Sequence, residues 1–348
     1  MKDATRQFFQ RAWLEGEDKW FQYLVVLLVT LLGGYAIVGQ LPLGVAIIYP
    51  VFSQGMDNVE MQTYLEEVQS SMSPDLIGID QNLLIVLMLT IFVVAMAFFY
   101  WIYRKMHKRS FRRLITPFAH LDWGKIGFGF GVWLFILAAL EGVSFVLDPD
   151  NYVYQFEAME FVPLLLICIV MLPIQTTFEE LLFRGYLTHG FGFWFRSRLI
   201  ALLLPAVLFG AMHFANPEVG NYGFALMATY YISMGLFLGI ITLMDDSCEL
   251  AIGVHYANNL FGFLLVAAPG SVITTPALFR VEEVDMNGAM PFYIGMLVLF
   301  IIIAALRYGW RDWSRLYGDI ELPPKPAETP SMLISDTQLD SELLDDQT

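Results

Sequence analysis

The chain has 348 residues, 57% of them hydrophobic and only 15% charged, with a formal net charge of −15 at pH 7. So little charge with a mean hydropathy of +0.58 excludes an ordinary soluble domain. Two cysteines, one in an apolar run and one in a polar turn, exclude a disulfide framework and a cysteine zinc cluster.

Residues 1–20 are mixed in charge and read as a cytoplasmic segment. The apolar run behind them lacks a small-residue cleavage site and reads as a retained first span. A span needs roughly 20 apolar residues. Candidate runs are Phe21–Val38, Leu83–Tyr103, Ile126–Leu147, Phe161–Phe178, Leu199–Met212, Phe224–Met244, Leu250–Ala268 and Pro291–Leu306. The fifth is short, Leu41–Phe52 is a further partial segment, and Val59–Met72 is a small amphipathic element in a long outer loop. The expected fold class is all-α: a polytopic membrane protein, with a bundle of about eight transmembrane helices occupying residues 21–318. Residues 319–348 hold eight acidic side chains, one lysine and four prolines, and read as a disordered acidic tail.

Lysine and arginine set the orientation. Arg104, Lys105, Lys108, Arg109, Arg112, Arg113 and Lys125 lie between the second and third runs, whereas residues 39–82 and 148–160 have neither lysine nor arginine. Alternation then places both termini in the cytoplasm of a multi-pass protein. The lipid bilayer is its first partner, and nothing points to nucleic acid.

Three short motifs put ionisable or amide groups in or beside these runs, where a charge costs several kcal/mol and usually has work to do. In Glu179-Glu180-Leu181-Leu182-Phe183-Arg184, Glu180 and Arg184 are i,i+4 neighbours in the favourable order for an ion pair. Glu179 points about 100° away and lacks that partner. A desolvated carboxylate without a counter-charge holds a proton more readily, as a general base or acid must. Glu179 is therefore assigned to catalysis, and Glu180 and Arg184 to holding the helix and site in place. In Phe209-Gly210-Ala211-Met212-His213, the histidine closes an apolar run and Phe209 packs beside it. In His255-Tyr256-Ala257-Asn258-Asn259, His255 and Asn259 share one helical face. They can donate two hydrogen bonds to an oxyanion, or equally make an interhelical bond that only holds the bundle together. Asn258 competes with Asn259 for that role with a poorer direction.

These residues resemble the CAAX prenyl protease and bacteriocin-processing family of intramembrane proteases, also called Abi proteins. The family pattern of EExxxR, FxxxH and HxxxN on successive membrane helices is met without substitution by EELLFR, FGAMH and HYANN, over about residues 161–268. The resemblance implies an eight-helix core with a polar cavity open to the cytoplasmic side. It further implies that Glu179 activates a water with help from His213, and that His255 and Asn259 stabilise the oxyanion. The substrate expected is a membrane-associated protein or peptide: a prenylated CAAX-type protein, a leader-bearing peptide or another membrane protein. Glu179, His213 and His255 are also a possible zinc set with one open position. The H-E-x-x-H helix usual in zinc proteases is absent, so a metal-free water is an equal reading. A non-catalytic scaffold or immunity protein, or a proton-coupled transporter using the same Glu and His groups, are the rival functions.

Depth adds one requirement. If its helix stopped at Phe178, Glu179 would lie roughly 20 Å from the level of His213. The helix is therefore expected to continue to about Gly190, and the Asp245–Glu249 turn to dip below the surface.

Overall fold

Side-chain caps fix where the helices begin. Asp57 accepts from the backbone N–H groups of Val59 and Glu60, Asp80 from those of Asn82 and Leu83, and Ser197 from that of Ile200. The structure is a computed structural model describing residues 7–268, 270–271 and 273–325. Its helices in chain order are α1 (Gln7–Leu14), α2 (Trp20–Ser53), α3 (Asn58–Ser71), α4 (Pro74–Ile77), α5 (Gln81–His107) and α6 (Trp123–Leu147). There follow α7 (Ala158–Phe195), α8 (Arg198–Met212), α9 (Pro217–Tyr222), α10 (Phe224–Asp245), α11 (Glu249–Leu264) and α12 (Met286–Tyr308).

Among the described residues, six helices are long and apolar enough to cross a membrane: α2, α5, α6, α7, α10 and α12. Their outward faces are apolar, with Phe135, Leu166, Val170 and Leu306 all exposed, as contact with lipid requires. The chain is thus a multi-pass membrane protein. The other two expected spans differ from expectation in length. Helix α8 has 15 residues and α11 has 16, so neither reaches across by itself. Three short strands also pair at one end of the bundle, Tyr152–Tyr154 and Val266–Ala267 flanking Phe279–Val281. Strands of two or three residues leave no periodic signal in a sequence.

Helix α7 continues through the first motif and five residues beyond Gly190, with a π-helical stretch at Leu181–Leu187. The extra residue per turn begins directly after Glu180, and such π segments recur at functional sites. The Asp245–Glu249 turn is buried throughout. Helix α1 covers it, since Asp246 accepts from the N–H groups of Gln7 and Phe8, and Cys248 N–H donates to the Ile115 carbonyl. Helices α6 and α11 cross at backbone contact. A Cβ on Gly253 would lie 2.1 Å from the Ile126 carbonyl oxygen, and one on Gly129 would lie 2.6 Å from that of Leu250. These two glycines bring Trp133 and His255, each within a turn of the crossing, into one core.

The end of the bundle carrying the basic loop is sealed by a charged knot. Asp18 and Arg109 pair at 2.7 Å with side chains 1% exposed, and Lys325 reaches Asp18 at 3.0 Å. The start of the expected tail is held here as well, because Trp13 donates to the Pro323 carbonyl and Asp319 bridges Ser197. Residues 319–325 thus depart from the reading as disordered tail, and 326–348 lie outside the described residues. Burial alone would raise the Asp18 pKa, but Arg109 and Lys325 outweigh it and hold the carboxyl below its usual range. A depressed carboxyl contributes stability above its unfolded pKa of about 4 and loses it as pH falls through the folded value. Thermal unfolding in detergent should therefore show stability falling below about pH 4 in the wild type and a weaker fall in Asp18→Asn.

Candidate active site

The three motifs meet. Glu179 sits at the middle of α7 and Glu180 behind it, His213 caps the end of α8, and His255 and Asn259 lie one turn apart on α11. Glu179, Phe209, His213, His255 and Asn259 all line one cavity of about 500 Å³.

Glu180 and Arg184 are fully enclosed, at 0% and 2% side-chain exposure, and pair at 3.0 Å. The same Glu180 oxygen lies 2.6 Å from His255 Nδ1. A carboxylate can only accept, so Nδ1 carries the proton and His255 turns Nε2 toward Glu179, whose Oε2 is 3.5 Å away. Arg184 also donates to the Gly235 carbonyl on α10 and stacks over Phe209, its Cζ 4.3 Å from the ring centroid. Glu180 and Arg184 thus do more than pin α7: they fix the tautomer and direction of His255. Phe209 packs against His213 and His255, at ring separations of 4.7 and 6.0 Å.

His213 is oriented in the same manner by a different partner. Its Nδ1 donates to the Phe209 carbonyl at 2.7 Å, which leaves Nε2 as the nitrogen not engaged with that carbonyl. Tyr231 stacks on it at 4.7 Å. The remaining histidines are accounted for elsewhere. His107 bonds the Tyr186 hydroxyl, His189 contacts the Phe8 carbonyl, and His120 lies in the basic loop.

Sequence reasoning passed over Gln175, one turn before Glu179. Its side-chain amide donates to Glu179 Oε1 at 2.7 Å and accepts from Asn259 at 2.9 Å, joining the carboxylate to the amide. A lone glutamine in an apolar run, at i−4 from a motif acid, was the available signal. Asn258 turns aside from this pair toward Trp133 and Asn259.

As for a metal, two imidazoles with their Nδ1 atoms anchored and one carboxylate are suitable donors. Their spacing is not. Among the described residues no group of three or more His, Cys, Asp or Glu side chains is placed to hold an ion.

The cavity runs from buried Leu182 and Phe183 out to Asn216, Glu218, Ala268 and Ser271. Those last residues follow α8 and α11, with Glu218 in the short helix α9, and α8 and α11 begin at the basic end and run away from it. The outer reach of the cavity is therefore at the end opposite both described termini.

Apolar helices closed around a buried carboxylate, imidazole and amide cluster define a polytopic membrane protein with a polar site inside its core. Residues 161–261, the span of the three motifs, match the family described as "Type II CAAX prenyl endopeptidase Rce1-like". The uncharacterized protein YyaK of Bacillus subtilis (strain 168) is 36% identical over 213 residues, covering 61% of this chain and 71% of that protein. The chain belongs to the Rce1-like type II CAAX prenyl endopeptidase family, the CPBP or Abi group. No solved structure matches it.

Proposed function

We propose that the protein is an intramembrane endopeptidase in which Glu179 activates a water against a peptide bond of a membrane-associated substrate. The observation that carries this reading is the shared cavity in which Glu179 Oε2 stands 3.5 Å from His255 Nε2, with Gln175 on its other oxygen. A water there gives one proton to Glu179 and donates its other hydrogen to His213 Nε2, so that its lone pair is aimed at the carbonyl carbon. The hydroxide adds, and the oxyanion takes the Asn259 N–H not used by Gln175 together with an N–H from His255 Nε2. His255 can donate there only as an imidazolium, with Glu180 against its other nitrogen. Collapse of the tetrahedral intermediate breaks the C–N bond, and the proton on Glu179 passes to the leaving amine.

With the lysine- and arginine-rich end in the cytoplasm, both termini are cytoplasmic and the cavity faces the other side. That orientation favours a leader-bearing or other exported membrane peptide over a prenylated cytoplasmic one. The spacing of Glu179, His213 and His255 favours a water activated without a divalent metal such as zinc. Metal analysis of the purified protein, with activity measured in chelator, tests this.

The test is a comparison of protein N- and C-termini in wild-type and Glu179→Ala cells. Termini that vanish in the variant should map to membrane-associated proteins, beside the extracytoplasmic ends of their membrane segments. Vanishing termini at cytoplasmic C-terminal motifs would reverse the orientation, and identical sets of termini would reject the protease.

A further inference from the structure

Four polar side chains on three helices form an unbroken line that ends on Glu179. Trp133 Nε1 on α6 meets Asn258 Oδ1 at 3.3 Å, and Asn258 Nδ2 meets Asn259 Oδ1 at 3.3 Å. Asn259 Nδ2 then meets Gln175 Oε1 at 2.9 Å, and Gln175 Nε2 meets Glu179 Oε1 at 2.7 Å. Each amide in the line could in principle be turned end for end. The indole cannot, because it is a donor and nothing else. Once Trp133 donates, Asn258 must present its oxygen to it and its nitrogen onward. The same choice is forced on Asn259 and then on Gln175, so the last N–H falls on Glu179. Trp133 is itself held without freedom: it is 0% exposed and packs between Phe237 and Phe300 at ring separations of 5.2 and 5.9 Å.

We propose that the line Trp133–Asn258–Asn259–Gln175 is a one-way hydrogen-bond relay that orients the reactive groups, with Trp133 and Gln175 as positioning residues. It has two consequences for the reaction. Glu179 Oε1 is occupied by Gln175, so Oε2 is the oxygen that meets the water. Asn259 spends one N–H on Gln175 and keeps the other, in a fixed direction, for the oxyanion. Without the indole the line is fixed from one end only, by the acceptor-only carboxylate of Glu179, and Asn258 is free to turn its amide away from Asn259 and so to loosen the direction of the second Asn259 N–H. The catalytic consequence rests on the protease reading, whereas the relay itself does not.

The test therefore begins without substrate. In the full chain in detergent micelles with ¹⁵N-labelled tryptophan, the indole N–H signal of Trp133 is identified by its loss in Trp133→Phe. That signal should exchange slowly with solvent. It should also shift and exchange at least about tenfold faster in Gln175→Met, although residue 175 meets Trp133 only through Asn258 and Asn259. If Gln175→Met does not fold, Gln175→Ala serves, since it too removes the acceptor of the Asn259 N–H and leaves more room in the core. An indole signal unchanged in every folded Gln175 variant overturns the relay. On a substrate recovered from the comparison of termini, Trp133→Phe and Gln175→Met should each lower kcat with KM unchanged, and together no further than the worse one alone. Losses that multiply overturn the relay and leave the protease reading standing, whereas full activity of Glu179→Ala overturns that reading alone.

Discussion

Purified Glu179→Gln protein should fold and insert normally yet cleave at least about a thousandfold more slowly than the wild type. The size of the effect follows from what is removed. A carboxamide of the same shape can still accept from Gln175, so the neighbouring amides keep their places. It cannot take a proton from water, and it cannot return one to the leaving amine. General base catalysis contributes about two to four orders of magnitude, and here one group serves both proton transfers. Folding should survive because Glu179 is not part of the enclosed ion pair: its side chain is 12% exposed and faces the cavity, while Glu180 bears the contact with Arg184. The measurement is turnover of detergent-purified or reconstituted protein alongside its thermal unfolding. Full activity in a folded Glu179→Gln protein would remove the carboxylate from the mechanism. His213→Ala and His255→Ala should each abolish cleavage under the same conditions, through loss of the water's second acceptor and of an oxyanion donor.

The motifs were legible in the sequence because each pairs an unusual residue with a helical interval. Glu180 and Arg184 are four apart and do pair, and His255 and Asn259 are four apart and do share a face of α11. Depth was legible too, since simple helical rise required α7 to run on past Phe178. What the sequence hid was contact across helices. Gln175 reaches Asn259 over a separation of 84 residues, and Trp133 reaches Asn258 over 125, and no periodicity records such pairs. The lengths of two apolar helices were hidden for a related reason. Apolar runs around residues 199–212 and 250–268 look like spans, but α8 stops at His213 and α11 begins at a turn already buried under α1. These two short helices carry His213, His255 and Asn259. A helix that ends or begins within the core places its terminal residues at mid-depth, which is where α7 places Glu179.

Arg184→Ala should be the most destabilising single substitution in the site, costing about 3–5 kcal/mol, because it strands a buried carboxylate. Glu180 has no access to solvent, and its hydrogen bonds to Arg184 and His255 fall on one oxygen. Removing the guanidinium leaves Glu180 with the His255 Nδ1 hydrogen bond and also vacates the space over the Phe209 ring. The Gly235 carbonyl loses its side-chain donor at the same step. Arg184→Lys keeps a charge but cannot span Glu180 and Gly235 together, so an intermediate loss is expected. The decisive comparison is the double variant Glu180→Gln/Arg184→Met. If the penalty of Arg184→Ala comes from an unpaired buried charge, neutralising both partners should recover a large part of the stability. Activity should not recover with it, because a glutamine at 180 no longer holds the His255 imidazolium as a carboxylate does. Thermal unfolding in detergent reads the first quantity and turnover the second. A double variant less stable than Arg184→Ala would mean that α7 depends on packing by the arginine stem and not on charge balance.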